Sequence, residues 1–132
     1  MFSKDILIGV LIGLANCDIR VESNHRSSLG YEVKPRLQIR GEMDFLLGVE
    51  RSLAQQSITC SIKEKESKIR PKPLLKVTRI GHLQKICEMI PEAYADARNQ
   101  WAEFRTVVQI MNDKKHLTLE GLEEILKIKG LI

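Results

Sequence analysis

The spacing of apolar and polar residues changes period several times along this chain. From Ile6 to Ala15 every residue is apolar or glycine, which predicts a helix, spanning about residues 4–17, that must be buried on all sides. After Asp18 the period falls to two. Ile19, Val21 and Ser23 alternate with Arg20, Glu22 and Asn24, a loop follows from Arg26 to Gly30, and the alternation then resumes. On the return run Tyr31, Val33, Pro35, Leu37 and Ile39 lie on one side, with Glu32, Lys34, Arg36, Gln38 and Arg40 on the other. The two runs form a hairpin with one apolar and one polar face. Pro35 has no N–H to give to a ladder, so the second strand lies at a sheet edge or carries a bulge there.

Gly41 breaks the strand, and residues 42–56 have helical spacing through Met43, Leu46, Leu47, Val49 and Leu53. A second hairpin follows, with strands over 58–63 and 74–80 and an exposed, charged loop over 64–73 that contains Pro71 and Pro73. Residues 81–89 predict a short helix. Beyond Pro91, Trp101, Phe104, Val107, Val108 and Met111 mark a longer helical stretch. Thr118 is placed to cap a last helix that Gly130 ends, so the C-terminal helices occupy about residues 92–130. Helices and hairpins in this order predict an α+β fold, αββαββα, with an antiparallel four-stranded sheet covered on one face by helices.

Composition narrows the class. At 132 residues, 43% hydrophobic and 29% charged, the chain fits one soluble domain with a single modest core. The net charge of +4 tilts only slightly toward an anionic partner, but the charge is uneven. Between Lys63 and Arg79 seven basic residues face two acids, a balance of +5, while the stretch from Glu92 onward is nearly neutral. Cys17, Cys60 and Cys87 show no CxxC and no zinc-finger spacing, so they are expected to be structural thiols in a reducing, intracellular setting, cytoplasmic in a prokaryote or organellar. The apolar run Ile6–Ala15 is about half the roughly 20 residues of a membrane span, and no membrane partner is expected. His25, His82 and His116 are scattered and form no metal or triad pattern, and no phosphate-binding glycine loop or internal repeat is present.

Two features carry candidate chemistry. Gly9 and Gly13, four apart, with Cys17 one turn further, give the first helix a strip of small residues where another helix backbone can approach closely. On the polar strand face, Arg20, Glu22, Asn24, Arg26, Lys34, Arg36, Gln38 and Arg40 are the donors and acceptors that read base edges and grip phosphates, and Lys63, Lys65, Lys76 and Thr78 extend that surface. Arginine pairs bidentately with guanine and Asn or Gln with adenine, and a two-stranded ribbon fits the major groove. Few aromatic residues interrupt this face, which argues against single-strand binding by stacking.

Residues Leu11 to Asp18 read L-I-G-L-A-N-C-D, and this run resembles the signature helix of the LAGLIDADG homing endonucleases at Leu11, Gly13, Leu14 and Asp18. Asn16 stands where the family has its first Asp, and Ile19 where it has the closing Gly. The resemblance covers essentially the whole chain as one domain over 1–132 and implies the same αββαββα plan. It implies further that two copies pair through the motif helix, with Gly9, Ile12, Gly13, Asn16 and Cys17 at the interface, as in the homodimeric members. Asp18 is then the metal ligand and catalytic carboxylate, with Mg²⁺ as cofactor. Glu42 is the candidate at the end of the second strand, where the family places a Gln or an acid. Arg98 is the candidate in the loop where the family often has a Lys, able to stabilise phosphate charge but a poor proton carrier. The implied function is Mg²⁺-dependent cleavage of a specific double-stranded DNA site. The alternative is an inactive relative serving as a DNA-binding regulator or intron-splicing cofactor, in which RNA becomes a partner, and a plain α+β dimer with no nucleic-acid role stands behind both.

Overall fold

The computed structural model describes residues 2–94 and 100–132. In chain order these form α1 (Lys4–Leu14), β1 (Asn16–Ser23), β2 (Tyr31–Arg40), α2 (Met43–Gln55), β3 (Ser61–Lys63), β4 (Leu74–Val77), α3 (Ile80–Met89), α4 (Gln100–Asn112) and α5 (Leu119–Lys129), with 3₁₀ turns at Glu92–Tyr94 and Lys115–Leu117. The α+β architecture with a four-stranded antiparallel sheet is as the residue pattern predicts.

The strands lie in the order β1-β2-β4-β3. β2 pairs with β1 along its length, from Asn16 opposite Gln38 to Ser23 opposite Tyr31, but meets β4 only through Leu37–Arg40 against Val77–Leu74. β2 is therefore an interior strand and not an edge. Pro35 is tolerated because it sits in the half of β2 that β4 does not reach, where a missing N–H on that side breaks no ladder. β3 is shorter than the 58–63 expected, since the Thr59 N–H donates to His82 Nδ1 at 3.0 Å and not to a strand. β4 stops at Val77 because α3 starts at Ile80.

Side chains of alternate strand residues divide the sheet. Ile19, Val33, Leu37, Ile39, Leu75 and Val77 are buried with Val49, Leu83, Ile86, Trp101, Phe104, Val108 and Ile125 from the helices, in one core. The opposite face carries Asp18, Arg20 and Glu22 beside Lys34, Arg36 and Arg40.

Local chemistry fixes the helix ends. The Ser3 hydroxyl accepts the Ile6 N–H and opens α1. Thr118 caps α5 by accepting the Gly121 N–H at 3.1 Å, and Gly130, left-handed at φ 80°, closes it as expected. The last carbonyls of α3 are satisfied from another helix, with Arg105 Nη2 donating to Cys87 O at 2.9 Å and Ile90 O at 2.8 Å.

α1 differs from expectation in two ways. It ends at Leu14, three residues short of the predicted limit, because Ala15 turns to extended backbone and the ladder with β2 takes in Asn16, Cys17 and Asp18. It is also not buried all round within one chain. Leu7 and Leu11 are fully buried, while Ile6 (55%) and Leu14 (56%) are exposed together with Gly9 and Gly13 on the opposite side. Its start is held on α2, where Phe2 N–H donates to the buried Ser52 Oγ at 2.7 Å and Ser52 Oγ donates to Gly48 O at 2.9 Å. No helix among the described residues is long and apolar enough to cross a membrane.

Candidate nucleic-acid interface

Asp18 is the third residue of β1, directly opposite Arg36 on β2. The pairing is chemical as well as geometric: Arg36 Nε and Nη2 both lie 2.8 Å from Asp18 Oδ2, and both side chains are about a quarter exposed. The backbone immediately before Asp18 is clamped from α4. The Gln100 amide accepts the Cys17 N–H at 2.9 Å and donates to Ala15 O at 2.8 Å, bridging the corner between α1 and β1. Gln100 lies 83 residues from Cys17 in sequence, so no local spacing could have exposed this role.

The other predicted cations of the face also meet acids across or along the strands. Arg20 Nη2 is 2.7 Å from Glu22 Oε1, and Lys34 Nζ is 3.3 Å from the second Glu22 oxygen and 3.8 Å from Glu32. Exposed pairs of this kind are worth roughly 0.2–1 kcal/mol each, so phosphates can replace the acids at little cost. Asn24 lies just past β1 and serves its turn, accepting the Arg26 N–H at 2.9 Å and donating to Glu32 at 3.2 Å, while Arg26 itself is exposed on that turn. Gln38 is on the polar side by register but only 5% exposed, so it does not offer its amide at the surface as expected, because it is enclosed between β1 and β4, opposite both Asn16 and Lys76.

Arg40 is tied to the β3–β4 loop. Its Nε and Nη2 meet the two carboxylate oxygens of Glu66 at 2.6 and 2.9 Å, and Arg70 Nη1 lies 3.8 Å from the same carboxylate. This bidentate bond raises the titration of the Arg40 guanidinium and, with the charges of Arg70 and Arg36 nearby, holds the Glu66 carboxyl below its ordinary range. Glu66 was hidden among the alternating charges of the loop. Lys63 is exposed with Nζ 3.5 Å from Glu66 O, Lys65 is exposed, Lys76 is half-buried between β2 and β3, and Thr78 lies exposed one residue beyond β4.

The remaining candidates are not gathered around Asp18. Glu42 is exposed at the residue before α2, and its side chain makes no capping bond. The strand from Arg36 to Arg40 alone covers about 13 Å, which separates Glu42 from Asp18 within the chain. Arg98 lies outside the described residues. Cys17 leaves the helical strip, because Ala15 ends α1. It sits opposite Leu37 on the core side, near Cys87, and burial raises its thiol. Burial pushes Cys87 up to about 12 and Cys60 up to about 11, so all three free thiols stay protonated and unreactive. Ile12 is half-buried and Asn16 exposed, and the exposed positions of α1 are Lys4, Asp5, Ile6, Gly9, Gly13 and Leu14.

Among the described residues no three His, Cys, Asp or Glu side chains converge as a cation site. The Asp18 carboxylate has its Oδ2 engaged by Arg36.

No protein-family model matches the chain, and no curated protein matches it. Solved structures do. A homing endonuclease, I-TnaI, is similar at TM-score 0.75 and 23% identity over 96% of this chain and 85% of that one. An archaeal intron-encoded homing endonuclease complexed with DNA gives 0.78 and 18% over 95% and 78%. The LAGLIDADG meganuclease I-CpaMI, bound to uncleaved DNA, gives 0.78 and 19% over 98% of this chain but 45% of that one, so the chain spans less than half of that protein. Each of these matches covers 95% or more of this chain, and the chain has the fold of the LAGLIDADG homing endonucleases.

Proposed function

We propose that two copies of this chain pair through α1 to form a saddle that binds a roughly palindromic double-stranded DNA site and, with Mg²⁺, cuts it. The observation that carries this reading is the juxtaposition at the α1–β1 corner. A helix side with two glycines and the exposed Ile6 and Leu14 stands open next to the strand that presents Asp18 on a basic sheet face. The similar solved structures include homing endonucleases complexed with DNA, which supports the same assignment.

The donor set supports Mg²⁺ only as half a site. Mg²⁺ takes one or two carboxylates and completes its shell with phosphate oxygens and water, so an Asp18 from each copy suits it where one does not. Bound there, a divalent cation supplies charge neutralisation at the scissile phosphate and a more acidic water. The chain's own residues do the rest. Gln100 fixes the backbone that precedes Asp18, Arg36 orients the carboxylate and adds positive charge beside it, and Arg20, Lys34, Lys63, Lys65 and Lys76 grip the duplex backbone.

Arg36 also favours the second reading. Its two bonds to one Asp18 oxygen neutralise the carboxylate that a cation needs, as expected of a relative that binds nucleic acid as a regulator or splicing cofactor without cutting it.

Duplex binding tests the shared part. Affinity for a duplex selected from a randomised library should fall linearly with salt on logarithmic axes, with a slope near −0.9 for each phosphate contacted. Binding that is indifferent to salt leaves the plain dimer as the better account. Pairing is tested separately by Gly13→Leu. A Cβ at Gly13 meets nothing within 4 Å in the single chain, so the fold should survive, whereas a close helix pair has no space for the side chain. Sedimentation should show the variant as a folded monomer, and an unchanged dimer would exclude α1 as the interface.

A further inference from the structure

The β3–β4 loop is built to hold an aliphatic side chain in water. Ile69 is 91% exposed, the most exposed large apolar side chain among the described residues. It is not on a loose segment. Glu66 N–H donates to Lys72 O and Ser67 N–H to Arg70 O, both at 2.9 Å, while Ser67 Oγ accepts the Arg70 N–H at 3.0 Å. The Glu66 carboxylate anchors this turn to Arg40 on the polar sheet face. The tip is therefore an ordered turn held to the face that carries Asp18 and Arg36, and Lys65, Lys68, Arg70 and Lys72 flank Ile69 along it, all exposed.

A basic rim around one aliphatic side chain matches a polyanion that displays isolated methyl groups. In the major groove of duplex DNA the apolar group on the base edges is the C5-methyl of thymine, flanked by phosphates. Resting on the duplex-binding reading above, we infer that Ile69 packs against a thymine methyl in the major groove, and that the Arg40–Glu66 bond sets the position it reads. Arg40 is then a positioning residue for Ile69 and not itself a base contact.

Replacing thymine by deoxyuridine, one position at a time, in a duplex selected by the wild-type protein removes only the methyl. Wild-type affinity should fall about fourfold at one thymine in each half-site, the value of one buried methyl group. Ile69→Ala should already show that loss on the parent duplex and be indifferent to the swap. Glu66→Gln, which frees the tip and removes a negative charge, should lose the discrimination without losing affinity. Salt-dependent binding in which wild type and Ile69→Ala respond alike to every swap overturns the inference and leaves the DNA-binding reading standing. The same holds if Ile69 proves to unstack a base step, seen as a rise in 2-aminopurine fluorescence with no response to deoxyuridine. Absence of salt-dependent duplex binding by the wild type overturns both.

Discussion

Asp18→Asn is expected to abolish nicking of a selected duplex in Mg²⁺ while leaving duplex affinity unchanged or slightly tighter. The two parts of this expectation have different causes. Asparagine offers a neutral amide in place of the hard anionic oxygen, and loss of about 4 kcal/mol of charge stabilisation in the transition state is roughly a thousandfold in rate. Affinity moves the other way, because Arg36 gives two N–H groups to Asp18 Oδ2 at 2.8 Å, and without that carboxylate the guanidinium is released toward phosphate. Paired binding and nicking assays separate the two effects. Cleavage that persists in the variant removes Asp18 from the chemistry, while specific binding with no cleavage by either protein favours the noncutting relative.

Gly121→Ala should be the most damaging single-methyl change in the chain, costing about 3 kcal/mol of stability and lowering the thermal midpoint by roughly 10 °C. A Cβ at Gly121 would fall onto the carbonyl group of Lys115, with Thr118 Oγ1 3.2 Å away on the same side. The obstacle is backbone of the 3₁₀ turn Lys115–Leu117, which runs directly into the Thr118 cap of α5, so no flexible side chain can yield. Gly81→Ala is the control. That glycine is on α3 with nothing within 4 Å of its Cβ position, and alanine there should be neutral or stabilising by up to about 1 kcal/mol. If thermal unfolding ranks the two variants equally, the close packing of α5 on the Lys115 turn is wrong.

The alternation of elements was legible from residue spacing, because the period-two runs around Ile19–Val21 and Val33–Ile39 and the helical spacing of Leu46, Val49 and Leu53 record which side each element buries. So were the caps at Thr118 and Gly130, whose chemistry acts over three or four residues. The resemblance at Leu11–Asp18 pointed to the fold that the solved structures share. Which residues meet across elements depended on the folded chain. The same apolar run could have been a helix through Cys17, but pairing with β2 drew Asn16, Cys17 and Asp18 into a strand and turned Cys17 into the core. Gln38 belongs to the polar parity yet is enclosed between neighbours on both sides, and Asn24 is occupied by its own turn. Gln100 on Ala15 and Cys17, Glu66 on Arg40, and Ser52 on Phe2 join residues 26 to 85 positions apart. Periodicity reports how a residue stands toward water, which is a local property. A hydrogen-bond partner brought in from a distant element is a property of the folded chain alone.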